Sequence, residues 1–353
     1  MKIGLLTVVF NDKPLEEVAE YASGLGYEMF ELAAWRGSNH FDTDRAAGDP
    51  AYGRELKKML SSHGIEVSAL ANHLSSQMVL PFSDSSLDEW AGTSDKEEMV
   101  RSGTEHIIRT AEVASDLEIP VITGFFGSTV WESWYIWPPQ RLDIYEKGWD
   151  LFVERWNPIL DRFKELGVKF AHEVHPTEIA YNVYTAREAI KRLDRDDWGF
   201  NFDPSHLVWQ MIDPVVFIKE FGDRILHVHA KDWELQKDIL HIDGVLGTGS
   251  WQRKDRAARY RVPGWGDVEW RRVITALLEV GYDYVLSFEH EDPVMSEEDG
   301  CEQAIKFLEP LIIKKPLVPG QAWWGPQPAP GVRAGTKAVV QQERVVSNGA
   351  APT

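Results

Sequence analysis

Short apolar runs alternate with longer amphipathic segments along most of the chain, and this alternation narrows the fold more than any other feature. KIGLLTV precedes PLEEVAEYASGL, MFELAA precedes YGRELKKMLSSHG, VSALAN precedes KEEMVRSGTEHIIRTAEVASDL, and VITGFF precedes a long helix through Leu166. The order continues with KFAHEV and TAREAIKRL, GFNFD and PVVFIKEF, ILHVHA and WRRVITALLEV, and YVLSFE and CEQAIKFLEPLII. Eight such pairs, joined by right-handed crossovers, predict an α/β protein of the (β/α)8 TIM-barrel type. An open doubly wound sheet is the competing arrangement, but no Gly-x-Gly-x-x-Gly turn follows the first strand.

The chain has 353 residues, more than the roughly 250 that such a barrel uses. The periodic part ends near Ile313, where the composition shifts to Pro, Gly, Ala and Gln. We therefore expect a catalytic barrel over 1–313 and an extended C-terminal arm over 314–353. Such an arm orders only by burying apolar surface on another chain, with Trp323 and Trp324 as anchors, so an oligomer is expected.

Three connections are longer than ordinary loops: 72–95 after the third strand, 127–140 after the fourth and 233–268 after the seventh. In a barrel all three open on the face where active sites are built. The second reads GSTVWESWYIWPPQ, and its Trp131 and Trp134, with Tyr135 and Trp137, are expected to line the substrate entrance, because aromatic faces stack on sugar rings. Core filling must still account for many of the fifteen tryptophans.

A net charge of −19 disfavours a nucleic-acid partner, since backbone affinity comes from Lys and Arg displacing counterions. The single cysteine, Cys301, excludes an intramolecular disulfide and points to a reducing cytoplasm. No run reaches the roughly 18 apolar residues of a membrane span, and the apolar N-terminus stops at Asn11-Asp12-Lys13-Pro14, so neither a membrane partner nor a leader is expected.

The chemistry sits at the ends of four consecutive strands: HEVHP after the fifth, FNFDPSH after the sixth, HVHAKD after the seventh and SFEHED after the eighth. Side chains alternate across a strand, so one residue per strand end can converge on the barrel axis. Three carboxylates and one imidazole make a mostly oxygen site suited to one divalent ion, Mn²⁺ first, with Mg²⁺, Co²⁺ or Zn²⁺ admitted.

As an ordered set these motifs resemble the xylose isomerase-like superfamily of barrels, which includes sugar isomerases, ketose epimerases, inosose dehydratases and type IV apurinic endonucleases. The resemblance covers most of Met1 to Ile313. It implies that Glu173, Asp203, His229 and Glu289 hold the metal, and that His206 and Lys231 contact substrate. His175, two residues beyond Glu173, is a candidate base, and Glu173 with Glu289 could act as an opposing acid and base. His227 is expected to support His229, and His73 to contact substrate or cap a loop. The implied activity is proton abstraction beside a sugar carbonyl. It leads to isomerisation or epimerisation, or to β-elimination as in C-glycoside deglycosidases that cleave 3-oxo-glycosides. That last subfamily works with a smaller, non-identical subunit. An endonuclease of the apurinic type, which the acidic charge disfavours, and a noncatalytic binding barrel are the alternatives.

Overall fold

The computed structural model describes residues 1–139, 141 and 143–317. Its strands are β1 (Lys2–Leu6), β2 (Met29–Ala33), β3 (Glu66–Ala71), β4 (Val121–Gly124), β5 (Lys169–Glu173), β6 (Trp198–Phe202), β7 (Ile225–Ala230), β8 (Asp232–Leu235), β9 (Ala258–Arg261) and β10 (Val285–Phe288). Eight of them close a parallel barrel in the order β1-β10-β7-β6-β5-β4-β3-β2. The expected fold is thus the observed one. Strands such as β2 and β6 are buried at every residue, as parallel strands covered by helices on one face and packed inward on the other must be.

The helices form by ordinary local rules. Asp95 accepts the amides of Glu97 and Glu98 and so starts Lys96–Asp116, which turns Met99, Ile107, Ala111 and Ala114 inward. In the helix Asp143–Leu166 the buried stripe is Trp149, Phe152, Trp156, Ile159, Leu160 and Phe163. Trp156, Trp198, Trp233 and Trp270 are fully buried, so part of the tryptophan excess is core, as the composition required. Cys301 is buried in the helix Glu297–Leu308, in keeping with a packing role.

Two features of the barrel position the site. First, its interior carries buried polar groups in place of an all-apolar filling: Glu31, Ser68, Thr123, Asn201, His227 and Ser287. Second, the long connection after β7 contains the antiparallel pair β8 and β9, which the sequence did not announce as strands. Trp233 packs edge-on against Tyr260 at 4.5 Å, and Glu234 pairs with Arg259 and Arg261 at 2.7 and 2.6 Å. Much of the basic patch in this connection is therefore neutralised within it.

Asp232 anchors the ribbon by accepting from the amides of Trp233, Gly264 and Val268 and from the Trp270 indole, at 2.8 to 2.9 Å. A Cβ on Gly266 would stand 2.3 Å from Asp232 Oδ1, and Gly264 has φ +91°, so the glycines of Pro263–Asp267 are required by the turn itself. The C-terminal arm from 318 onward, with Trp323 and Trp324, lies outside the described residues. Among those described, no helix is long and apolar enough to cross a membrane.

Candidate metal centre

The register brings the four strand ends to one point. Glu173 closes β5, Asp203 follows β6, His229 is the penultimate residue of β7 and Glu289 follows β10. One ligand atom from each lies within 4.8 Å of the others. Glu173, Asp203 and His229 are buried, while the Glu289 side chain keeps 15% of its exposure and opens the cluster to solvent.

Each group is held by specific neighbours. Asp203 caps the helix Pro204–Trp209, its Oδ1 accepting the Ser205 amide at 2.8 Å. Glu173 Oε1 accepts from His206 Nε2 at 3.0 Å, and its Oε2 stands 2.9 Å from His73 Nε2. His229 donates from Nε2 to Glu31 Oε2 at 3.0 Å, which turns its Nδ1 toward Glu289 Oε2 at 3.0 Å and Glu173 Oε2 at 3.4 Å. Lys231 Nζ reaches Glu289 at 2.7 Å, Glu291 at 2.9 Å and Asp203 Oδ2 at 3.3 Å.

The charges follow from this packing. Burial pushes the carboxyl of Glu289 up, but Lys231 and His229 outweigh it and hold it down at about 2. Glu173 is likewise pulled well below the usual carboxylate range, burial being overridden by His229, His206 and His73. Burial would lower His229 and Lys231, yet the surrounding carboxylates hold both well above their ordinary values. His175 goes the other way: burial, with His206 beside it, keeps its imidazole well below the usual range and neutral. Its ring stands 4.1 Å from that of His206.

The donor set fits a cation. Asp203 Oδ2 and His229 Nδ1 are buried without a hydrogen bond among the described residues, their charged neighbours being Lys231 at 3.3 Å and Glu289 at 3.0 Å, and ligand atoms of Glu173, Asp203, His229 and Glu289 converge within 4.8 Å. Three oxygen-bearing groups and one imidazole nitrogen converging in this way suit a divalent metal ion.

The expected residues divide into two groups. His73, His175, His206 and Lys231 gather around the four strand-end side chains. Asn72, next to His73 in sequence, bonds His106 and Thr110 in the helix layer, at 3.1 and 2.6 Å. Trp131 and Trp134 are set apart: with Glu146, Trp149 and Tyr181 they line a cavity of about 560 Å³ that none of the four strand-end residues borders. Tyr135 and Trp137 are exposed at 73% and 79% and line neither. Sequence reasoning missed Glu31, whose signal is a lone carboxylate inside the apolar run MFELA. It bonds His229, Thr123 and Ser287 deep in the barrel. His227 joins the same network through Ser68 at 3.3 Å and Asn201 at 3.0 Å.

A closed parallel barrel with an acidic, histidine-bearing cluster at the carboxyl ends of four strands defines the class of (β/α)8 barrels that carry their sites on that face. The chain belongs to the xylose isomerase-like TIM barrel family, whose profile matches residues 19–311. It is similar to the uncharacterized protein YfiH of Bacillus subtilis, 25% identical over 335 residues, covering 88% of this chain and 99% of that one. It also resembles the inosose dehydratase of Clostridium perfringens, 28% identical over 174 residues, which are 46% of this chain and 54% of the dehydratase. The match thus spans about half the length of that enzyme. Among solved structures, the IOLI protein with a bound zinc atom superposes with a TM-score of 0.62 at 18% identity, covering 88% of this chain and 98% of the other.

Proposed function

We propose that this chain is a divalent-metal-dependent carbohydrate enzyme that removes the proton beside a sugar carbonyl. The observation that carries this reading is the convergence of one ligand atom each from Glu173, Asp203, His229 and Glu289 within 4.8 Å of one another, with Asp203 Oδ2 and His229 Nδ1 buried without a hydrogen bond. Those four residues would hold the ion, with Mn²⁺ the first choice. Bound there, it would supply Lewis acidity toward a substrate carbonyl and its neighbouring hydroxyl.

The remaining steps belong to the side chains. Lys231, kept charged by its carboxylate neighbours, offers N–H donors at the edge of the cluster and can fix a substrate oxygen. His206 orients Glu173, and His73 closes the β3 side. His175, kept neutral and in ring contact with His206, takes the proton. Returning that proton to another position gives isomerisation or epimerisation. Loss of a group β to the carbonyl gives elimination, the branch that the inosose dehydratase likeness favours and that 3-oxo-glycoside cleavage would follow.

The test is to incubate the metal-loaded protein with free ketoses, inososes and 3-oxo-glycosides in deuterated water and to follow products by NMR. Deuterium exchange beside the carbonyl in at least one class is expected, with an unsaturated product marking elimination. A protein that takes up no divalent ion, or that takes it up and exchanges no proton in any of the three, overturns the reading.

A further inference from the structure

The cavity beside the β4 connection has no part in the chemistry above, yet it is built like a ligand site. Its volume of about 560 Å³ falls within the range of small-molecule pockets. Its walls are aromatic: Trp131 packs edge-on against Tyr181 at 5.2 Å, Trp149 is buried behind them, and Trp134 and Tyr184 stand 51% and 76% exposed at the mouth. An exposed aromatic face held beside a concavity is surface that a flat ligand can cover.

Two buried polar side chains border the same space, Ser128 and Glu178, each 1% exposed. Ser128 Oγ accepts the Val130 amide at 3.3 Å, and its proton remains available. Glu178 Oε2 accepts the Gly127 amide at 2.6 Å, and burial raises its carboxyl to about 8. At neutral pH it is therefore mainly an uncharged acid able to donate. The charges at the rim satisfy one another: Arg192 pairs with Glu146 and Glu188 at 2.7 and 2.6 Å, and Lys191 leans on Glu188 at 3.4 Å. Nothing in this lining calls for a charged ligand.

We propose that this cavity binds a neutral, planar, hydroxylated aromatic ring, stacked on Trp131 and Trp134 with a ring oxygen on Ser128 and Glu178. The site lies close to the candidate base. Thr177 Oγ1 is 3.2 Å from His175 Nδ1 and 3.3 Å from Glu178 Oε1, and Thr177 holds φ at +94°, a conformation a β-branched residue rarely adopts. The loop that carries Glu178 is thus fixed in place against its own preference. The proposal does not depend on the sugar reading, because ring binding is measured without metal or turnover.

The full chain, labelled with 5-fluorotryptophan and assigned by single Trp→Phe substitutions, is titrated in slightly acidic buffer with the tetrahydroxyflavone luteolin and followed by ¹⁹F NMR. Saturable shifts of the Trp131 and Trp134 resonances are expected. The anionic ring 4-hydroxybenzenesulfonate should bind more weakly by about tenfold or more, the scale of one lost favourable contact. Trp131→Ala should weaken luteolin by about tenfold, while Glu178→Gln, which keeps shape and a donor, should stay within about threefold. If neither resonance moves, or if Trp131→Ala binds luteolin as the parent chain does, the assignment is overturned. Should the alanine variant fold poorly, the shift map of the unsubstituted chain decides alone.

Discussion

His229 and Glu31 meet at 3.0 Å in the barrel interior, one from β7 and the other from β2, on strands not adjacent in the sheet. By accepting from Nε2, Glu31 fixes the tautomer and aims Nδ1 at Glu173 and Glu289. Glu31→Gln keeps the size but loses the charge, and is expected to lower divalent-metal affinity by roughly 10- to 100-fold with the barrel still folded. Titration calorimetry with Mn²⁺, alongside circular dichroism, measures both. Unchanged affinity would reduce Glu31 to a structural group.

Without a metal the His229 imidazole is held protonated well above its ordinary range, so a cation must displace a proton. Because the folded-state value is raised, the proton competes most strongly at low pH and its competition fades as pH rises through that value. Metal affinity should therefore climb with pH. The binding enthalpy should also vary with the ionisation heat of the buffer, as proton release requires. An affinity flat between pH 6 and 8, at about 0.1 M salt, contradicts the predicted linkage.

His175→Gln tests the base directly. Metal content should be retained, since His175 is not among the four converging side chains proposed to hold the ion, while proton exchange beside the carbonyl slows by about 10²- to 10⁴-fold. Exchange at the parental rate would move the role to Glu173 or Glu289.

Glu178 gives a stability prediction with a definite sign. Its folded value of about 8 exceeds the ordinary glutamate value of 4.5, so the native state binds more protons across that window and loses stability as pH rises from the lower value to the higher. The full cost at high pH is on the order of 5 kcal/mol or less. Glu178→Gln should therefore raise the melting temperature at pH above about 8 and leave it nearly unchanged at pH near 4.5, by differential scanning calorimetry. A uniform shift at both pH values would point to packing instead of charge.

Much of this architecture was legible in the residues. The βα alternation specified the closed barrel because parallel strands covered by helices leave continuous apolar runs, and the four strand ends carried chemistry at a repeating position. Other parts had no local signal. Glu31 sits in mid-strand, where only the inward bend of a closed barrel brings it to His229 and Ser287. The pair β8 and β9 escaped notice because Arg259 and Arg261 read as a basic patch until Glu234 and Asp292 are placed beside them. Trp131 and Trp134 belong to the strand-4 connection as expected, but the helices Asp143–Leu166 and Val183–Arg192 decide which cavity they border.

Asp203 has two oxygens with two employments: one starts the helix Pro204–Trp209 by accepting the Ser205 amide, and the other is buried beside His229 and Lys231. A longer acid at this position could not keep both distances, and an amide would place a nitrogen on one of them. The residue is therefore locked by two selections at once. Under the proposed reading, variation that retunes this barrel leaves Asp203 alone and works through the connections after β4 and β7, which carry none of the four converging side chains.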